Sequence, residues 1–341
     1  MSIKETVKAL TALRGISGQE DAVREYLCKA VEGHCESMVT DNLGNLIVTK
    51  KGAKRPEKKL VLSAHMDEVG FVVTRIEDDG MLCFHNVGGI MSAVAGARPV
   101  LVGDAALPGV IGMKPIHLLE GDEKEKYTPI GDMRIDMGTT SKEETAKLVA
   151  PGDMITFVSD YRDMGGNCFC AKAIDDRAGC AMLLELILGE LPYDCTFAFT
   201  TQEESGCVGA RAAAFTVAAD IAIAVEGTTA SDLPDVKGSK RVCAIGGGPV
   251  ISHMDRGTIY DYELYRRATK VAEANNISWQ TKEGIYGGNE SRSYQQTGAG
   301  SKVLAVSVPV RYIHSATSVA CWDDIAEQQK LLLALIEELS R

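Results

Sequence analysis

The feature that most constrains this sequence is a set of apolar runs that each lead into a histidine or an acidic residue. Such runs are typical of strands buried on both faces, as in a sheet covered by helices on either side. In sheets of this kind, ligands bind beyond the carboxyl ends of the strands. The runs therefore indicate an α/β sheet whose polar strand ends converge on one site. The polar residues are His65, Asp175, Glu203 with Glu204, Glu226 and His314.

His65 and Asp67 close the first of these runs, which begins at Leu62. Residues i and i+2 of a strand point to the same side, so the two side chains could project together. A carboxylate in that position can orient a metal-bound imidazole. A lone histidine at a strand end is more often structural, so the interpretation of His65 as a ligand depends on the other runs.

The other runs supply the groups that metal-assisted hydrolysis needs. Imidazoles and carboxylates are the usual ligands of zinc, cobalt and manganese. Asp175 lies on a predicted strand-to-helix turn, where two ions could share it, whereas Asp176 is expected only to cap the helix. Of the adjacent Glu203 and Glu204, one could bind metal while the other acts as a base. The candidate metal ligands are His65, Asp175, Glu204, Glu226 and His314.

Composition narrows the class of protein. A length of 341 residues predicts two domains, and a net charge of -11 argues against nucleic acid as the main partner. No run of about 18 apolar residues is present, so no membrane span is expected. The ten cysteines are scattered and match no CxxC motif. A cytoplasmic location is therefore expected.

The organisation along the chain changes after Asp67. Short alternating runs between turn signals, from Val69 to about Val158, predict a small β-barrel or sandwich inserted into the larger sheet. Elsewhere strands and helices alternate. The predicted elements are a helix from a Ser17–Glu20 capping box to Val31, a hairpin from Ser37 to Lys50, helices at Arg177–Leu191, Asp261–Ala274 and Trp322–Leu339, and a solvated loop at Leu118–Tyr127.

Four segments resemble, in order, the motifs of the glutamyl aminopeptidase family, the tetrahedral, self-compartmentalising dinuclear metallopeptidases. The resemblance covers nearly the whole chain. The segments are His65–Phe71, Asp175–Gly179, Thr201–Gly206 with Gly209–Arg211, and Arg311–Ser315.

The resemblance implies a metal-dependent aminopeptidase that removes amino-terminal residues from peptides. It implies two divalent ions, zinc or cobalt or else manganese, and a homo-oligomer such as a dodecamer built from dimers. The fold expected is α/β, a mixed-sheet metallopeptidase domain with helices on both faces plus an inserted β-barrel-like domain. The catalytic domain would comprise residues 1–67 and 165–341, and residues 68–164 would form a β-rich domain for assembly.

The resemblance also implies a role for each candidate residue. His65, Asp175 and Glu226 would hold one ion, and Asp175, Glu204 and His314 the other. Glu203 would be the general base and then the general acid toward the leaving amine. Asp67 would orient His65.

The chain departs from the family pattern at three places. Glu226 stands where the family usually has aspartate, Gly287–Ser291 where it commonly has Gly-Gly-Thr-Asp-Ala, and Ala316–Ser318 where it has a glutamate. Two alternatives therefore stay open. One is a catalytically degenerate relative that acts as a binding or scaffold protein, and the other is a related dinuclear deacylase or carboxypeptidase. The side-chain preference, native metal and assembly size are not predicted.

Overall fold

The structure, a computed structural model, describes residues 2–121 and 125–341. Residues 122–124 of the predicted solvated loop lie outside the described residues. The chain begins with helices α1 (Ile3–Ala12) and α2 (Asp21–Val31) and strands β1 (Ser37–Thr40), β2 (Leu46–Lys50) and β3 (Leu60–His65). The predicted hairpin is confirmed, since β1 and β2 pair antiparallel.

The predicted capping box at the start of α2 is wrong. Ser17 donates its hydroxyl to Asp67 instead, at 2.6 Å. Glu20 accepts from the backbone N–H groups of Gly18 and Gln202. Both side chains thus tie α2 to the site end of the sheet. The pattern misleads because a Ser-x-x-Glu spacing records local geometry and carries no information about distant partners.

The inserted β-barrel is confirmed. Its strands close in the order β4-β5-β8-β7-β6-β9. They enclose apolar side chains such as Phe71, Val100 and Ile155, while intervening residues face outward. The domain boundaries at 68 and 164 stay a prediction. The elements are β4 (Gly70–Ile76), β5 (Leu82–Val87), α3 (Ser92–Ala95), β6 (Pro99–Val102), β7 (Leu107–Gly112), β8 (Arg134–Asp136), α4 (Lys142–Thr145) and β9 (Met154–Phe157).

Strands and helices alternate through the rest of the chain. The three helices predicted there are confirmed, but the strand expected to end at Glu226 continues to Thr229. The elements are β10 (Arg162–Asp163), β11 (Cys168–Ala171), α5 (Ile174–Leu188), β12 (Cys195–Thr200), α6 (Val208–Val217), β13 (Ile221–Thr229), β14 (Val250–Ile251), α7 (Tyr262–Ala274), β15 (Gln280–Thr281), α8 (Ser291–Gln296), β16 (Lys302–Val310), β17 (Ser318–Cys321) and α9 (Trp322–Leu339).

The large sheet is mixed, as predicted, and runs in the order β1-β2-β12-β3-β13-β16-β14-β15. Its central strands β12, β3, β13 and β16 are parallel, whereas β2 and β14 join them antiparallel. Parallel central strands bring their carboxyl ends to one edge of the sheet.

The two faces of this sheet carry side chains of different size. On β13, Ile223 and Val225 pack into a large core with α5 and α9, whereas Ala222 and Ala224 face α6 and α8. The small side chains let α6 and α8 approach the sheet closely. Helices therefore cover both faces, which confirms the predicted α/β architecture.

A small sheet of β10, β11 and β17 carries a disulfide between Cys168 and Cys321, which face each other on paired strands. Nothing in the sequence indicates this pairing, because the two cysteines are 153 residues apart. In the part of the chain that the structure describes, no helix is both long and apolar enough to cross a membrane. The cytoplasmic location stays a prediction.

Candidate metal centre

The alanine-lined face of the sheet becomes polar at the carboxyl ends of its strands. Alternate positions on a strand share a face, so His65 continues the series that begins at Val61, and Glu226 the series of Ala222 and Ala224. Strand register sets His65 beside Thr200. The same face of the sheet therefore carries small packing side chains along the strands and polar side chains at their carboxyl ends.

His65 is fully buried at the end of β3. Its Nδ1 lies 3.1 Å from the backbone oxygen of Asp67 and 3.3 Å from the Asp67 carboxylate. The other ring nitrogen, Nε2, lies 3.6 Å from Asp175 and 3.7 Å from Glu226. Burial lowers the pKa of His65, but the surrounding carboxylates outweigh it and raise that pKa well above its ordinary value.

Asp175 lies between the two histidines. Its Oδ1 faces His65, and its Oδ2 is 3.7 Å from Nε2 of His314. Gly227 fixes this position, since its N–H donates to Oδ1 at 3.0 Å and a Cβ there would come within 2.8 Å of the same atom. Asp175 therefore presents one oxygen to each side of the site, which is the arrangement of a shared ligand.

His314 follows β16 by four residues, in a turn with left-handed backbone (φ 58°). Its Nε2 lies 3.2 Å from Glu204, and its Nδ1 lies 3.2 Å from the backbone oxygen of Gly89, in the segment after β5. The carboxylates of Asp175 and Glu204 outweigh burial and raise the pKa of His314 to about 11. The barrel segment thus contributes a wall of the site.

Glu203 and Glu204 are held by Asp67. The Asp67 carboxylate accepts their backbone N–H groups, each at 3.0 Å, as well as the Ser17 hydroxyl. Burial raises the pKa of Glu203 to about 8, and the carboxylates of Glu204 and Asp67 act in the same direction. Asp67 therefore positions the loop that carries both glutamates in addition to contacting His65.

The site holds more carboxylates than its imidazoles can neutralise. Burial raises the pKa of Glu226 and of Asp176 well above their usual range. Oε1 of Glu226 is buried without a hydrogen-bond partner among the described residues. Buried negative charge of this kind is normally paired or coordinates metal. The carboxylates are those of Asp67, Asp175, Asp176, Glu203, Glu204, Glu226 and Glu290.

The spacing also fits metal ions. Gaps of 3.6 to 3.7 Å from His65 to Asp175 and Glu226 are too long for hydrogen bonds. Two ligands at about 2.1 Å from one tetrahedral ion lie roughly 3.4 Å apart. Ligand atoms of His65, Asp175 and Glu204 lie within 4.8 Å of one another, and so do those of His65, Asp176 and Glu226. The structure thus brings all five predicted ligands together. Asp176 lies beside them, and its Oδ1 accepts the backbone N–H of Gly179 at 3.0 Å, as the predicted helix cap requires.

Two further buried residues escaped the sequence analysis. Glu290 accepts hydrogen bonds from Ser63, at 2.5 Å, and from Thr200, beneath the predicted ligands. Lys282 lines a cleft of about 360 Å³ that opens from Asp175 and Glu226. Glu290 lies in a segment that departs from the family pattern, which was the signal for it. Lys282 follows the short strand β15, in a segment without any motif.

The chain matches proteins of one kind over almost its full length. It is 37% identical to a putative aminopeptidase of Acetivibrio thermocellus, over 97% of this chain and 98% of that protein. It is 30% identical to the glutamyl aminopeptidase of Lactococcus lactis, over 100% of this chain and 97% of that one. It is 29% identical to the lysyl aminopeptidase of Pyrococcus furiosus, over 98% and 97%.

Solved structures agree. A TET aminopeptidase from a marine sediment archaeon, Thaumarchaeota archaeon SCGC AB-539-E09, superposes with a TM-score of 0.94 at 32% identity, over 99% of this chain and 96% of that one. The Pyrococcus horikoshii TET1 peptidase, which can assemble into a tetrahedron or a large octahedral shell, gives 0.87 at 35% identity, over 99% and 100%. The family model of the M42 glutamyl aminopeptidases matches residues 44–331. The chain therefore belongs to the M42 glutamyl aminopeptidase family and is a peptide-bond hydrolase.

Proposed function

We propose that this protein is an aminopeptidase that binds two divalent metal ions and uses Glu203 as its general base. The observation that carries the proposal is the position of Asp175, which turns one carboxylate oxygen toward His65 and the other toward His314. A carboxylate so placed can serve two ions at once. Membership of a metallopeptidase family supports the presence of divalent metal.

The ligand assignment follows from the same contacts. His65, Asp175 and Glu226 would hold one ion, and Asp175, Glu204 and His314 the other. Each set combines one imidazole with two carboxylates, a donor set that suits zinc or cobalt and also accepts manganese. Glu226 is one methylene longer than the family's usual aspartate, but its unpaired Oε1 is available for coordination.

Bound divalent ions supply Lewis acidity, which lowers the pKa of water and stabilises developing negative charge on a carbonyl oxygen. Glu203 does the proton transfer. Its carboxylate takes a proton from the attacking water and returns it to the amine that leaves when the peptide bond breaks. Asp67 holds Glu203 in place through the backbone N–H, and the Cys207 thiol, 3.2 Å from Glu203 Oε1, donates to the base.

We also propose that the protein assembles into a homo-oligomer, such as a dodecamer built from dimers, through its inserted barrel. Support comes from the assembly of the P. horikoshii relative, which covers the same length of chain. Analytical ultracentrifugation of the full chain and of a variant with charged residues placed on the outer barrel strands would test this. A monomer at micromolar concentration would contradict the proposal.

The main experiment is a panel of aminoacyl reporter substrates, assayed metal-free and with zinc, cobalt or manganese. Glu203→Gln should lower kcat by about 100- to 10,000-fold while metal content stays the same. Glu32→Gln, at an exposed glutamate after α2, is the matched control. Full turnover by Glu203→Gln with metal retained would disprove the role of Glu203.

The same panel distinguishes the alternatives. A degenerate scaffold protein would hydrolyse no substrate with any metal. A deacylase or carboxypeptidase would cleave amino-blocked or carboxy-terminal substrates that an aminopeptidase ignores. The complete set of ligands around Asp175 favours a working hydrolase over a degenerate one.

A further inference from the structure

Three arginines line a second cleft beside the proposed metals, with a volume of about 570 Å³. Both this cleft and the one of about 360 Å³ include Glu203 and His314. Only the second cleft includes Glu204, whereas only the first includes Asp175 and Glu226. The two clefts therefore adjoin at the proposed base. The arginines of the second, here called the arginine cleft, are Arg211, Arg256 and Arg292.

A series of contacts leads from the proposed base to the first two arginines. Sγ of Cys207 lies 3.2 Å from Oε1 of Glu203. The backbone oxygen of Cys207 accepts the N–H of Arg211, one helical turn later on α6, at 3.4 Å. The same oxygen accepts the hydroxyl of Ser293 at 3.2 Å, and Ser293 directly follows Arg292. The base thus lies close to the start of α6 and to α8, which carry Arg211 and Arg292.

A tight turn places Arg256 beside Arg292. A Cβ at Gly257 would come within 3.3 Å of Cδ of Arg292, so the residue after Arg256 packs against the Arg292 side chain. The buried carboxylate of Asp255 holds this turn, since it accepts the N–H groups of Gly257 and Thr258 at 2.7 and 2.8 Å. Arg256 and Arg292 are therefore neighbours along the arginine cleft.

The three guanidinium groups are left open to a ligand. With the described residues they make neither hydrogen bonds nor ion pairs, and all three residues are exposed. Asp255, the acid next to Arg256, is already occupied by the turn and by the Tyr260 hydroxyl, at 2.5 Å. The whole chain carries a net charge of -11, so the arginine cleft is a local reversal of charge. Guanidinium groups match carboxylates in geometry and charge.

The position of the arginine cleft indicates which carboxylate it would meet. The leaving portion of a peptide has no fixed length, so it needs a groove that is open to solvent. The exposed arginines provide such a groove, whereas Lys282, in the other cleft, is 7% exposed. One contact and one helical turn of about 5.4 Å separate Glu203 from Arg211, a distance that two or three residues of extended peptide, at about 3.4 Å each, would span.

We propose that the arginine cleft binds a carboxylate on the leaving portion of the peptide. This carboxylate is either the carboxyl terminus of a di- or tripeptide or an acidic side chain directly after the scissile bond. The proposal rests on the proposed aminopeptidase function, and it concerns the part of the substrate that departs, not the amino-terminal residue.

Two pairs of peptides isolate the charge and distinguish its sources. All begin with the residue X that the reporter panel shows to be cleaved fastest. X-Ala against X-Ala-amide tests the carboxyl terminus, and X-Glu-Ala-amide against X-Gln-Ala-amide tests the side chain. In at least one pair, kcat/KM should favour the carboxylate by roughly 5- to 50-fold at low salt, and about 0.5 M NaCl should reduce this ratio. The ratio cancels any change that affects both members of a pair equally.

Variants of the arginines test the assignment. Replacing all three with glutamine removes the positive charge, and the ratio should approach unity; each single replacement should lower it in part. Arg292→Lys should retain more of the ratio than Arg292→Gln. Arg55→Gln, at an exposed arginine in the loop before β3, is the matched control and should keep the ratio of the unmodified protein. Thermal unfolding and metal content would show that each variant is folded.

A binding measurement separates this proposal from the proposed function. Calorimetry with the metal-loaded Glu203→Gln protein would compare the affinities for the two members of each pair. Turnover with ratios of unity in both pairs, or ratios that survive the triple replacement, overturns the role of the arginine cleft and leaves the aminopeptidase function intact. Absence of turnover in the unmodified protein, with a preference for the carboxylate that the triple replacement abolishes in binding, overturns the aminopeptidase function alone.

Discussion

Two clusters of buried charge lie side by side at the end of β3, and they differ in how completely they are paired. In the closed cluster, the Glu68 carboxylate accepts hydrogen bonds from Lys172 and Arg177. Arg177 also donates to the backbone oxygens of Leu10 and Met66. In the open cluster, around Asp175, carboxylates outnumber imidazoles, and Oε1 of Glu226 has no hydrogen-bond partner in the described part of the chain.

The difference separates structural charge from charge kept for a ligand. A buried group that is paired on every side holds the fold together, here by joining α1 to the sheet and to α5. A buried charged group that is left unpaired is suited to bind a ligand that the chain itself does not contain. Burial and charge do not distinguish the two clusters. They differ in whether each charged group has hydrogen-bond and ion-pair partners.

The largest expected effect on stability comes from removing the negative charge of the closed cluster. Glu68→Gln removes the charge that faces Lys172 and Arg177, so the free energy of unfolding should fall by about 3 to 5 kcal/mol. Metal affinity of the folded protein should not change. Urea denaturation and metal titration would measure the two quantities. Glu36→Gln, at an exposed ion pair with Lys51, is the control and should have little effect. Weakened metal binding by Glu68→Gln would erase the distinction between the clusters.

The reverse result is expected in the open cluster. Glu226→Gln should weaken metal binding by more than about 100-fold. This loss is larger than is typical for a residue that contacts a metal ligand without binding the metal itself. Metal-free stability should change little, because burial already raises the pKa of Glu226 and favours its neutral form. Glu226→Asp restores the family's usual residue and should keep the metal. Competition with a chelator and metal-free denaturation are the measurements. A large loss of metal-free stability would make Glu226 structural.

Asp67 shares features of both clusters. It is buried and paired like the residues of the closed cluster, but it contacts a proposed metal ligand of the open cluster. Asp67→Ala should weaken metal binding by about 10- to 100-fold without unfolding the protein. Asp67→Asn keeps one acceptor oxygen, enough for only one of the N–H groups of Glu203 and Glu204, and should lose less than Asp67→Ala. Unchanged metal affinity in Asp67→Ala would remove its positioning role.

The smallest effect concerns the pH dependence of stability. Burial raises the pKa of Glu20 in the folded protein to about 7, above its ordinary value of 4.5. The folded state therefore binds more protons between these values, and this stabilisation is lost as pH rises through 7. Glu20→Gln should remove about 1 to 3 kcal/mol of that pH dependence. Denaturation of both proteins from pH 5 to 8, at constant metal, would show it; parallel curves would refute it.

The sequence predicted what depends on local pattern. The helix Trp322–Leu339 has the bounds expected from its periodicity, and the ends of β3 and β12 lead into the expected residues because apolar runs stop where the sheet does. The family motifs then selected the five candidate ligands from the acids and histidines of the chain.

The sequence could not predict what depends on distant partners. The spacing of Ser17 and Glu20 predicts a cap, but the partner of Ser17 is Asp67, 50 positions away, and the pairing of Lys172 with Glu68 spans 104 positions. Lys282 gave no signal at all, since a lysine in a polar stretch is ordinarily exposed. Only the tertiary structure shows that it is buried.

The hydrogen bond between His314 and Gly89 decides which tautomer the imidazole adopts. A carbonyl oxygen only accepts, so Nδ1 keeps its proton, and in the neutral imidazole that would bind a metal ion the lone pair is on Nε2, which faces Asp175 and Glu204. Gly89 lies directly after β5, a strand of the closed barrel, within the predicted inserted region of residues 68–164. A shortened chain without that region would keep every proposed ligand and yet leave His314 free to carry its proton on either nitrogen. A minimal enzyme built from the sheet alone would need a substitute for this single carbonyl.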